Sequence, residues 1–165
     1  MESLNAILDV SHMAEEAYFE ALDRYGGHII ASHSNPRRFR DSDRHLSDDM
    51  IRRLAERDGV MGVVPFNAFL SNDWARTDPK SSISISTVIT VIDHVCQVTG
   101  SARHVGIGTD FDGGFGAEQI PAEIDTLADL HRIGPLLAAR GYTPEDIMAI
   151  LGGNFLRILR TALPA

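Results

Sequence analysis

Three residues stand where an apolar run meets polar neighbours, and each carries a group that binds a metal or moves a proton. His12 ends "AILDVSH", His33 ends "HIIASH" and Asp110 ends "HVGIGTD". Short apolar runs of this kind read as buried strands. The C-terminal ends of such strands are where α/β folds build their sites. Two imidazoles at the same edge of neighbouring parallel strands can converge on one point. Zinc accepts nitrogens at about 2.0–2.1 Å, which sets two ligand nitrogens roughly 3.3–3.5 Å apart. Adjacent strands lie about 4.8 Å apart, so the geometry is feasible. The two histidines are twenty-one positions apart, room for one helix and two turns. A lone histidine at a strand end is more often a hydrogen-bonded structural group than a ligand. Two of them, each preceded by serine and each opening a loop, strengthen the metal reading. They remain two ligands, where a structural zinc site uses four and a catalytic one uses three plus water.

Asp110 lies in "GIGTDFDGGFG", the strongest local signal in the chain. It is placed to face the same mouth as the histidines, with Asp112 two residues on and three glycines keeping the loop open. The plainer alternative is an Asp-Gly turn with solvated carboxylates. A phosphate-binding loop is disfavoured, because the GxGxxG order and a following lysine are both missing. Arg44, in "RDSDRHLSDD", precedes a helix. Such an arginine is ordinarily solvated or in a local ion pair. Beside a metal it could clamp a substrate carboxylate in bidentate fashion. Spacing alone leaves Arg37, Arg38 and Arg40 as competitors. His28, His45, His94, His104 and His131 fall at strand starts or on helices and read as structural. Cys96 reads as a small core residue in a helix. Trp74 either walls a pocket or packs.

The elements that must position these groups follow from the apolar pattern. Strands are expected at about 5–11, 28–32, 60–65 and 104–109. Helices are expected over Met13–Tyr25, Leu46–Arg57 with Ser47 as cap, Ser84–Thr99 stopped by Gly100, and Glu123–Arg140. A further helix starts at the Thr143-Pro144 cap, and a short terminal one follows Gly152-Gly153. Residues 72–82 form a polar loop after the third strand. The order is βαβαβαβα plus a C-terminal helical tail in a single partial domain over 1–165, which implies a parallel sheet with right-handed crossovers. A full (β/α)8 barrel takes about 250 residues. Four units and a tail fill 165, so the chain is either a small open sheet or half a barrel.

Composition narrows the function classes. Net charge is −8 and the pI is near 5.2, against a nucleic-acid binder, which needs a basic patch. The one dense basic cluster, Arg37 to Arg44, is interrupted by Asp41 and Asp43. A single cysteine excludes a disulfide scaffold. No apolar run approaches the roughly 18–20 residues of a membrane span. Residues 1–12 lack a basic stretch followed by an apolar one, so no signal peptide is expected and a cytoplasmic location is.

Taken together, "LDVSH", "ASHSN", "DRHLSDDM", "GIGTDFDG" and "GGNFLRIL" resemble the renal (membrane) dipeptidase family of zinc peptidases, from about Leu4 to Leu159. The resemblance implies the C-terminal half of a (β/α)8 TIM-type barrel and hydrolysis of dipeptides at a two-zinc mouth. It makes His12 and His33 ligands of one zinc, Asp110 the proton-shuttling acid and Arg44 the binder of the substrate carboxylate. The family commonly has Arg-Asn where this chain has Arg44-His45. The family's first half supplies an HxD pair and a glutamate bridging both ions, and this chain has no HxD. At most one zinc is therefore expected with the ligands present. The expected partners are a dipeptide substrate and either a second copy or another chain that supplies the missing half-barrel. A non-catalytic half-barrel remnant, acting in assembly or weak metal binding, is the alternative function. An open-sheet nucleotide-binding domain is a third reading, which the glycine spacing does not favour.

Overall fold

The computed structural model describes residues 4–163. The first three residues, part of the stretch inspected for a targeting signal, lie outside the described residues, as do the last two. Four short strands, β1 (Leu8–Asp9), β2 (Ile29–Ala31), β3 (Val60–Val63) and β4 (Val105–Ile107), form one parallel sheet in the order β1-β2-β3-β4. Each lies inside an apolar run visible in the sequence. Among the described residues, β1 and β4 are left as open edges.

The helices cover one face of this sheet. They are α1 (Glu15–Arg24), α2 (Asp48–Glu56), a single turn α3 (Asn67–Leu70) and the long α4 (Ile85–Thr99). Ile29, Ala31, Met61, Val63 and Val105 alternate toward that face and are buried with Tyr18, Leu22, Met50, Leu54, Val88 and Ile92. Each large apolar side chain so buried contributes about 1.5–3 kcal/mol of transfer free energy. Local chemistry sets the helix ends. Ser47 Oγ accepts the Met50 N–H at the start of α2. Gly100 closes α4 in the left-handed region at φ 69°, which a Cβ would disfavour.

The helix expected over Glu123–Arg140 is shorter. A tight turn spans Leu127–Arg132 and α5 runs Ile133–Ala139. The reason is that Glu123 is used elsewhere. Its carboxylate accepts the Ile85 N–H and the Ser84 hydroxyl, both at 2.8 Å, so it caps α4 from a distance. The new start is a capping box between Thr126 and Asp129.

The tail comprises α6 (Pro144–Met148) and α7 (Asn154–Ala162), joined by a wide turn over Ala149–Gly153. Thr143 and Asp146 form the capping box that starts α6. Arg157 on α7 bonds to Asp58 and to the Arg103 carbonyl. Asn154 reaches the carbonyls of Ala102 and Val105. These partners lie at the beginnings of β3 and β4, so α7 closes the edge of the sheet opposite the histidines. The Phe155 ring fills the space a Cβ on Gly106 would take, 2.7 Å away. A groove of about 310 Å³ remains beside it, lined by Ile7, Ile30, Ser32, Ile107, Phe155, Ile158 and Leu159. No helix among the described residues is long and apolar enough to cross a membrane.

Candidate active site at the C-terminal edge of the sheet

The loops that follow β1 and β2 carry His12 and His33 to one place. Their Nε2 atoms stand 2.9 Å apart, with ring centroids 4.9 Å apart and planes tilted by 56°. In-phase pairing of Leu8 with Ile29 and Asp9 with Ile30 sets this convergence, because both chains leave the sheet at the same height. Burial lowers the His12 pKa, and the positive charge of Arg44 and the neighbouring His33 lower it further, against Asp110 and Asp9. The ring is thereby held neutral, the form that binds a metal.

Asp110 follows β4 and faces the same mouth, close enough to act electrostatically on both His12 and Arg44. Its backbone is in the left-handed region at φ 51°. The Gly113 N–H closes the turn onto the Asp110 carbonyl at 2.7 Å. The Asp110 carboxyl lies about 2.5 Å from where a Gly113 Cβ would be, so a side chain there would push the carboxyl aside. "DFDG" is a turn, and its geometry aims the first aspartate.

Arg44 is half-buried and spans the two histidine loops. Its guanidinium donates to the Ser11 carbonyl at 2.6 Å and to the His33 carbonyl at 2.8 Å, while its face rests 5.5 Å from the centre of the Phe69 ring. Arg37 is instead paired with Glu15, and Arg40 donates to the Asn72 carbonyl. Phe66, Phe69 and Phe115 make an aromatic wall nearby, with Phe66 and Phe115 stacked at 4.4 Å. Trp74 packs behind Phe66 and is buried.

Beneath the histidines lies a polar network that the sequence does not bring forward. Asp9 Oδ1 accepts from Ser11 Oγ at 2.7 Å and from the Ser11 and Ser32 N–H groups, both at 3.1 Å. Asp9 Oδ2 accepts from Ser32 Oγ. Ser32 Oγ also lies 2.6 Å from His33 Nδ1. Burial alone would raise the Asp9 pKa, but these four hydrogen bonds outweigh it and hold the carboxyl below its usual range. The only hint in the sequence is the serine before each histidine.

The remaining histidines serve the scaffold. His94 meets Asp48 at 2.8 Å, and His104 meets the Gly59 carbonyl at 3.0 Å. His45 is 1% exposed, and neither ring nitrogen makes a hydrogen bond of normal geometry. Burial pushes the Cys96 thiol up to about 11, which leaves it protonated and inert.

A family model described as Membrane dipeptidase (Peptidase family M19) matches residues 1–164. The chain belongs to the membrane dipeptidase family. Among curated relatives, an uncharacterised dipeptidase of Schizosaccharomyces pombe is 34% identical, over 98% of this chain and 37% of that protein. The dipeptidase tcpJ of Claviceps purpurea is 32% identical, over 97% of this chain and 35% of its own length. A metallopeptidase from Rhodobacter sphaeroides, solved with a phosphinate mimic of the dipeptide L-Ala-D-Ala, superimposes with a TM-score of 0.85 at 26% identity. That match covers 98% of this chain and 44% of the solved one. The chain thus spans 35–44% of the length of these relatives. Its four parallel strands and helices correspond to part of their fold.

The family's metallopeptidases imply a metal ion, and the donor set can be tested against one. Two imidazole nitrogens already facing each other suit two positions of a tetrahedral zinc after opening by a few tenths of an ångström. Among the described residues, no group of three or more His, Cys, Asp or Glu side chains could hold a metal ion. The pair supplies two donors, and the described residues supply no third.

Proposed function

We propose that this chain carries the substrate-binding and proton-transfer half of a zinc-dependent dipeptidase site, completed by ligands from outside the described residues. The observation that carries the proposal is the 2.9 Å approach of His12 and His33, with Arg44 and Asp110 turned to the same mouth. Support also comes from the dipeptide mimic held by the Rhodobacter sphaeroides relative.

His12 and His33 would hold one zinc through Nε2. The ion, when bound, acidifies water to give a nucleophile near neutral pH and polarises the scissile carbonyl. Arg44 has donors beyond those used on the two loop carbonyls and the Ser34 hydroxyl, and these would grip the free carboxylate of a dipeptide. That grip sets the substrate's length. Asp110 would take the proton released in attack and return it to the leaving amine, a role worth about 10²–10⁴-fold in rate.

The missing ligands and the uncovered inner face of the sheet point to one requirement. A second copy of the chain, or a chain bearing the first half of the barrel, would cover Ile7 and Ile30 and complete the mouth. The rival reading is a non-catalytic half-barrel, favoured by the lack of a third ligand among the described residues.

The test joins zinc content, native mass and hydrolysis of an Ala-Ala dipeptide. An assembly larger than one chain that binds zinc and cleaves the dipeptide, with Asp110→Asn abolishing cleavage, is the expected result. A monomer with no stoichiometric zinc and no cleavage would leave the non-catalytic reading standing.

A further inference from the structure

We propose that Asp9 is a positioning residue which, through the Ser32 hydroxyl, fixes His33 as its Nδ1–H tautomer and so presents the Nε2 lone pair to the mouth. The inference rests on the metal reading only for its purpose. Its geometry stands without it.

The argument is one of counting protons. The Ser32 hydroxyl has a single hydrogen and two close neighbours, Asp9 Oδ2 and His33 Nδ1. An ionised carboxylate accepts and never donates. The four hydrogen bonds into Asp9 favour that ionised form. The Ser32 hydrogen therefore goes to Asp9, and Ser32 Oγ has only lone pairs left for the ring. His33 Nδ1 must supply the proton in that 2.6 Å contact. Nε2 of His33 is then bare, and in the metal-free chain the 2.9 Å contact is closed by a proton from His12 Nε2. The opposite tautomer would leave the close Asp9–Ser32 contact without a hydrogen.

The scaffold holds each member in place. Ser11 Oγ spends its hydrogen on Asp9 and accepts the His33 N–H at 3.1 Å, so the same carboxylate anchors the His33 backbone. The Ser32 carbonyl lies about 2 Å from where Cβ atoms on Gly62 and Gly108 would be. Both neighbours must be glycine for β2 to end at this depth. The arrangement is the serine-bridged counterpart of the carboxylate–histidine pairs that orient metal ligands elsewhere, where losing the outer partner costs about 10–100-fold in metal affinity.

Asp9→Asn is the sharpest test, because it keeps the shape and inverts the roles. An amide at position 9 can donate to Ser32 Oγ, which sends the serine hydrogen to His33 Nδ1 and moves the ring proton to Nε2. Two-bond ¹H–¹⁵N spectra of the metal-free chain above pH 7.5 read the tautomer directly. We expect Nδ1–H for His33 in the parent chain, Nε2–H in Asp9→Asn, and a tautomer mixture in Ser32→Ala. Zinc affinity, measured by competition with a chromophoric chelator, should fall about 10–100-fold in both variants. The Ser32→Ala measurement decides alone if Asp9→Asn fails to fold. A parent His33 found as Nε2–H, or variants with an unchanged tautomer, would overturn the inference. A parent chain with the Nδ1–H form and the expected shifts, but no zinc uptake, would leave the relay intact and remove the functional reading instead.

Discussion

At the residue scale, the candidate groups for chemistry are easier to find in the sequence than the groups packed around them. His12, His33 and Asp110 announce themselves because an ionisable side chain at the end of an apolar run is unusual. Asp9 does not, because it sits inside the run and its value depends on pairing with β2 in one register. A shift of one position would turn it to the helix-packed face. The family resemblance implies a substrate clamp at Arg44, and the structure shows it tying the Ser11 and His33 carbonyls together. Arg44→Met should therefore cost stability even without substrate, about 1–3 kcal/mol by urea denaturation. A purely substrate-binding arginine would leave the unfolding midpoint unmoved. His45 makes a pH prediction. Burial first, then Arg44, Arg40 and Arg37, depress its pKa from 6.5 to about 4. The unfolded chain thus takes up a proton that the folded chain refuses. The stability it supports is intact above pH 6.5 and is lost as pH falls toward 4, by up to about 3 kcal/mol. His45→Asn removes that titration, so the slope of stability between pH 6.5 and 4.5 should flatten. An unchanged slope would show that other groups govern acid unfolding.

At the element scale, strands and well-capped helices can be read directly from the sequence, whereas partnerships between distant segments cannot. Ser47, Gly100 and Thr143-Pro144 mark helix ends by local chemistry alone. Upstream of Thr126, whose capping box with Asp129 is such a mark, the segment 121–125 carries none. Its fate is set by Glu123 reaching thirty-eight residues back to the first turn of α4. A local pattern extends α5 through it, and the long-range hydrogen bonds win. Glu123→Ala should lower stability by about 1 kcal/mol, the usual cost of a lost N-cap, and should fray the start of α4 in hydrogen exchange. Protection of the Ile85 and Ser86 amides unchanged from the parent would contradict this. The short α3 escapes a sequence reading because four residues, Asn67–Leu70, are too few to show a period.

At the scale of the whole molecule, the sheet has one finished face and one unfinished one. The helix-side face is closed by residues of almost no exposure, among them Val63, Val91 and Ile92. The other keeps an apolar groove between Ile7 and Ile30 on the strands and Ile158 and Leu159 on α7. Leu156, Leu159 and Leu163 are 48%, 42% and 60% exposed beside it, and both edge strands offer unpaired backbone groups. Each exposed leucine taken out of water contributes up to about 1.5–3 kcal/mol, and new ladder bonds at the edges add direction. The proposed reading is that this surface is buried by association of the 18.1 kDa chain. Native mass should therefore rise with concentration. Leu159→Asp should shift the equilibrium toward the single chain, by about tenfold for each 1.4 kcal/mol of association free energy it removes. A chain that stays monomeric at every concentration, with Leu159→Asp no different, would mean the inner face tolerates water. Further metal ligands would then not come from a second copy of the chain.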